Sequence, residues 1–194
     1  MARRSEISTA HPIVSKLIFN FEVTLVMSEV LIRGSCACQS CTWSSKSAPQ
    51  HLDFCYCTQC QQITGSAFGA WMGISRSSLD ISGPTTAIRL SSLAVDTIPS
   101  SATKSLEVAA RSFCTQCGGT LSIQYDCYPN KTHIAAGTIV TGAELIPRVG
   151  CHLFVAEKQP WFPICEDGVR RWDGFDEEFV DVLEKWRAGG EKQS

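Results

Sequence analysis

No run in this 194-residue chain reaches the about 20 consecutive apolar residues that a membrane-spanning helix needs. The longest candidate, Pro12–Met27, is interrupted by Lys16, Asn20 and Glu22. An excess of one charge is also missing: 17 Lys and Arg stand against 19 Asp and Glu, for a net charge of −2. That balance argues against a nucleic-acid partner, whose phosphates call for a strongly basic face. Helical periodicity is scarce before the last twenty residues, so a helical bundle is excluded. With 44% hydrophobic and 19% charged residues, the composition is that of an ordinary globular domain rather than a disordered chain.

Cysteine is abundant instead. There are eleven, an odd number, and eight fall in three tight clusters: Cys36, Cys38, Cys41; Cys55, Cys57, Cys60; Cys114, Cys117. Neighbours at one- and two-residue spacing suit a shared metal better than separate disulfides. Zinc is the natural candidate, since thiolates bind it at about 2.3 Å in a tetrahedron of four donors. A structural site fills all four positions from the protein, whereas a catalytic site leaves one for water or substrate. Eight thiols can make two closed sites. Alternatively, Cys36 and Cys38 join Cys114 and Cys117, and the central trio stays open. Spacing alone leaves both arrangements standing, because Cys41 could complete the central site.

The punctuation is that of an antiparallel, mainly β domain with loops: short apolar runs separated by Gly83-Pro84, Ser91-Ser92 and Pro99-Ser100-Ser101. Strands are expected at Val30–Ile32, through Trp43, at Leu52–Phe54, Phe68–Ile74, Leu106–Ala110, Ser122–Tyr125 and Thr132–Gly137. Cys114-Thr115-Gln116-Cys117-Gly118-Gly119 has the form of a zinc knuckle, in which glycines permit a tight turn that aims backbone N–H groups at sulfur. One helix is expected, at the C-terminus. Asp176 caps it, Phe179, Val182, Leu183 and Trp186 share a face, and Gly189-Gly190 ends it. The expected division is 1–28 as an N-terminal extension, poorly ordered or a targeting segment, 29–175 as the zinc-binding domain, and 176–194 as terminal helix and tail. Two early arginines and several serines give the extension a mitochondrial-transit flavour. Glu6 and Glu22 count against that, and Met27 offers an alternative start, so a cytoplasmic location is expected.

Four segments occur together and in order: GSCAC, FCYCTQCQQITGSAFGAW, RSFCTQCGGTL and HLFVAEKQPWF. In this the chain from about Leu31 to Asp173 resembles the glutathione-dependent formaldehyde-activating enzyme family, which also contains centromere protein V-like proteins. The resemblance implies a β-tent of antiparallel sheets with two zincs, one structural and one catalytic. It assigns Cys36, Cys38, Cys114 and Cys117 to the structural metal and Cys55, Cys57 and Cys60 to the catalytic one, and it gives Cys41 no role. The implied activity is a carbon–sulfur lyase that forms or cleaves a thiol adduct such as S-hydroxymethylglutathione. Its partners are a small thiol such as glutathione and a small carbonyl compound, with neither nucleic acid nor membrane. Family members often carry a basic residue after the third central cysteine, and here Gln61 stands in that place.

Thr64, Gly65 and Ser66 are candidates for shaping the central loop against substrate, Trp71 and Trp161 for walling a cleft, and His152 for lining it or moving a proton. For each the plainer alternative is packing or loop structure. Cys127, Cys151 and Cys165 are isolated and read as small apolar residues. Two other functions compete. A non-enzymatic zinc-stabilised binding or scaffold protein would have every metal position filled by its own side chains. A methionine sulfoxide reductase would need a further exposed, low-pKa cysteine.

Overall fold

In the computed structural model, residues 29–89 and 108–190 are described; the expected N-terminal extension lies outside them, as do Leu106 and Glu107. Twelve strands and two α-helices follow in chain order: β1 Ile32–Ser35, β2 Thr42–Ser45, β3 His51–Cys55, α1 Thr58–Thr64, β4 Gly69–Ser75, β5 Leu79–Ser82, β6 Thr85–Arg89, β7 Ala109–Cys114, β8 Thr120–Tyr125, β9 Lys131–Ala135, β10 Ile139–Thr141, β11 Val149–Leu153, β12 Arg170–Arg171 and α2 Glu177–Gly190. They form two sheets. The smaller has strand order β10-β1-β2-β5 and the larger β12-β11-β3-β4-β9-β8-β7-β6. The protein is thus mainly β with a terminal helix, and none of its described helices is long and apolar enough to cross a membrane.

Two features depart from the expectation. The larger sheet is mixed, because β11 runs parallel to β3 and to β12. Parallel neighbours need a long connection, and residues 56–148 lie between β3 and β11. The second departure is α1, which occupies part of the expected central loop. Cys57 caps its N-terminus, with its sulfur accepting from the Cys60 backbone N–H at 3.4 Å.

Strand alternation sorts the core. On β4, Met72 and Ile74 are fully buried with Ile32, Trp43 and Ile134, while Trp71 turns to the opposite face and packs with Cys55, Cys57, Cys60, Ile123 and Phe154. The helix α2 is capped by Asp176, whose carboxylate accepts from the Phe179 N–H at 2.9 Å. Phe179 and Leu183 then bury against Val108 and Cys127, with Phe175 stacked on Phe179 at 4.0 Å. Trp186, on the same helical face by spacing, remains 37% exposed. Gly189 and Gly190 lie inside the last turn of the helix rather than beyond it.

Candidate metal centres and the cavity beside them

Two groups of thiols converge. The sulfurs of Cys36, Cys38, Cys114 and Cys117 all lie within 4.8 Å of one another, and so do those of Cys55, Cys57 and Cys60. In the first group Cys36 and Cys38 are 3.5 Å apart and Cys38 and Cys114 3.8 Å. A tetrahedral zinc with sulfur at about 2.3 Å separates its ligands by about 3.8 Å, so the four-thiol group fits the ion. Backbone N–H groups serve the sulfurs: Cys41 N–H donates to Cys36 at 3.3 Å and Gln116 N–H to Cys114 at 3.4 Å. The knuckle turn closes with Gly118 at φ +71°, in the left-handed region that favours glycine. Because Cys36 follows β1 and Cys114 ends β7, this group joins the smaller sheet to the larger.

Cys41 belongs to neither group. It is fully buried with Cys36, Cys114 and Leu121, and its thiol donates to the Pro84 carbonyl at 3.3 Å. Burial, reinforced by Cys114 and Cys36, pushes it up to about 12. It sits beside the four-thiol group and so does not complete the central trio.

The trio is built from three local structures. Cys55 ends β3, Cys57 caps α1, and Cys60 is one turn inside it. All three are buried. Hydrogen bonds from the Cys55 and Cys60 thiols hold Cys57 down to about 3. Its partners move the other way, Cys55 well above the usual thiol range and Cys60 to about 12. Arg111 on β7, 8% exposed, adds a cation that favours the thiolate on Cys57 and Cys60. Three donors drawn together beside a buried cation fit a divalent metal that keeps one further position.

Beside the trio is a cavity of about 450 Å³, lined by Cys55 and Cys60, by the aromatic residues Trp71, Tyr125 and Phe175, and farther out by polar groups. Strand period accounts for its floor. His51, Asp53 and Cys55 alternate along one face of β3, opposite Gly73, Trp71 and Gly69 on β4. A Cβ at Gly73 would come within 2.1 Å of the His51 ring, so the glycine makes room for it. His133, the partner of Gly73 on β9, stands 5.4 Å from His51 between ring centroids. Burial lowers His51 and takes His133 to about 3. Asp53 accepts from the Cys151 thiol at 3.2 Å and lies 3.5 Å from His51 Nε2.

Of the residues singled out from sequence, Trp71 lines this cavity with Cys55 and Cys60. Thr64, Gly65 and Ser66 form the C-cap of α1, with Gly65 at φ +62° and the Ser66 N–H reaching the Gln61 carbonyl at 3.3 Å. Trp161 is 68% exposed and packs edge-on to Phe162. His152 is buried on the other face of β11. There it bonds the Tyr56 hydroxyl at 3.0 Å through Nδ1 and Asp167 at 2.9 Å through Nε2. Gln61 is also buried and donates to the carbonyls of Tyr56 and Glu157; it does not line the cavity, so the missing basic residue leaves the cavity lining unchanged. His51, Asp53, His133, Tyr125, Phe175 and Arg111 escaped the sequence reading. Counting back in twos from Cys55 finds His51 and Asp53, whereas the others need the strand register.

The fold and site are those of a mixed, mainly β protein with a four-thiol cluster and a three-thiol cluster, each able to hold a metal ion, the second beside a cavity. The model of the glutathione-dependent formaldehyde-activating enzyme family matches residues 31–157, and the chain belongs to that family. A crystal structure of a Rhodobacter sphaeroides protein is 14% identical to it, with a TM-score of 0.41, and covers 72% of this chain and 98% of its own. No curated protein matches the chain.

Proposed function

We propose that the protein is a zinc-dependent carbon–sulfur lyase that joins a small thiol to a small carbonyl compound, or separates them. Cys36, Cys38, Cys114 and Cys117 would hold a structural zinc, and Cys55, Cys57 and Cys60 a catalytic one. The observation that carries this reading is the difference between the two clusters: four thiols complete one, while the other has three beside a cavity and Cys41 is engaged elsewhere. Zinc at the trio would supply a Lewis acid at which a coordinating thiol gives up its proton.

The chain's own residues do the rest. Trp71, Tyr125 and Phe175 enclose the sulfur-binding end in apolar surface and exclude water there. Arg111 offsets the negative charge of three thiolates. Farther out, Asp53, His51, His133 and Lys131 offer polar contacts to the tail of a thiol. Family membership makes glutathione the first thiol to test and formaldehyde the first carbonyl. The balanced reaction forms one C–S bond, opens the carbonyl π bond, and returns the thiol proton to oxygen.

The test is zinc stoichiometry combined with X-ray absorption at the zinc edge, with and without glutathione. Two zincs, one of which gains a sulfur when the thiol is added, support the lyase. Two sites with four sulfurs each, unchanged by thiol, would make the protein a binding module.

A further inference from the structure

Trp71 is 4% exposed, lines the cavity, and packs with the cysteine trio. Among the described residues its indole Nε1 has no hydrogen-bond partner. A buried donor left unsatisfied is destabilising, so such a group calls for an explanation in function.

Its position supplies one. The indole leans back along β4 until Nε1 lies over Gly69, where an added Cβ would fall 2.4 Å from it. Gly69 is the direct cross-strand partner of Cys55, and opposed residues of an antiparallel pair share a face. The N–H is therefore held beside the sulfur-binding end of the cavity. Indole nitrogen is a donor only and ligates no metal. What it can meet there is an acceptor belonging to substrate.

We propose that Trp71 Nε1–H is a catalytic hydrogen-bond donor that binds the carbonyl oxygen of the electrophile and stabilises the negative charge developing on it as sulfur attacks carbon. The inference rests on the carbon–sulfur reading above. In the step the S–C bond forms and the C=O π pair moves onto oxygen. That oxygen takes up the proton the thiol released, through solvent, and the indole keeps its own hydrogen throughout. A donor fixed in place before the reaction, within an apolar wall, does not have to reorganise as charge appears.

Trp71→Phe removes the donor and keeps an aromatic ring. The expected result with glutathione and formaldehyde is a fall of about 10²-fold in kcat/KM for the carbonyl, with unchanged zinc content and thiol affinity. Gly69→Ala, which displaces the indole, should reproduce the defect and add little to it in the double variant. A second readout needs no turnover: the Trp71 indole N–H resonance, assigned by its loss in Trp71→Phe, should move downfield when formamide is added as an unreactive carbonyl. An undiminished rate in Trp71→Phe, or no shift with formamide, overturns the proposal. If wild type makes no adduct from glutathione and formaldehyde but formamide still shifts the resonance, the assigned reaction fails while carbonyl recognition by Trp71 stands.

Discussion

The sulfurs of Cys38 and Cys114, 76 residues apart in sequence, lie 3.8 Å from each other and so fasten the first strand of the smaller sheet to a strand end of the larger. With free zinc at about 1,000 times its dissociation constant, such a site stabilises the folded state by about 4 kcal/mol. At roughly 2–4 °C per kcal/mol for a domain of this size, Cys114→Ser should lower the melting temperature by roughly 8–16 °C. Differential scanning calorimetry of the zinc-loaded proteins checks this. A strong chelator, which would empty both sites, should lower the wild type by at least as much and the variant by less.

The neutral imidazole of His133 gives a pH dependence of known sign. Burial takes its folded pKa from 6.5 to about 3, so between those values the unfolded chain binds more protons than the folded one. Stability rises with pH in that window, is fully present above 6.5, and is lost as pH falls towards 3. His133→Asn should flatten the dependence by at most about 1.4 kcal/mol per pH unit, read as the difference in urea midpoints at pH 7 and pH 4.5.

Tyr56 bridges to His152, and His152 to Asp167, behind the trio. Tyr56→Phe removes one hydrogen bond and leaves buried His152 Nδ1 without its partner, a loss of about 1–3 kcal/mol. A urea titration measures it. Because Phe keeps the packing against Phe68, the zinc content should be unchanged.

Arg111 is the buried cation facing the thiolates. Arg111→Met should weaken zinc at the trio by about tenfold or more, equivalent to about 1.4 kcal/mol, and leave the four-thiol site unaffected. Competition with a chromophoric chelator resolves the two sites, and equal weakening of both would refute a local electrostatic role.

Much of this site could be read from residue spacing. The three cysteine clusters, the buried strand carrying Trp71 and the capped C-terminal helix all announce themselves over a few residues, where pattern and local chemistry agree. What stayed hidden depends on distant pairing. The helix α1 covers seven residues, carries three glutamines and no apolar period, and owes its start to a cysteine cap. Thr64-Gly65-Ser66 would suit close approach to a metal or a helix end equally well, since both exploit small residues and a positive φ. The polar half of the cavity exists because β9 sets His133 opposite Gly73, and because β11 lies parallel to β3 with Cys151 against Asp53. Neither register leaves a local trace.

The two thiol clusters also differ in exposure. Cys38 and Cys117 face solvent, whereas Cys55, Cys57 and Cys60 are covered, and oxidants attack accessible thiolates first. Peroxide would therefore reach the fastening between the sheets before it reached the cavity. The clasp between the sheets, rather than the reactive end, is the part whose sulfurs are open to chemistry from outside.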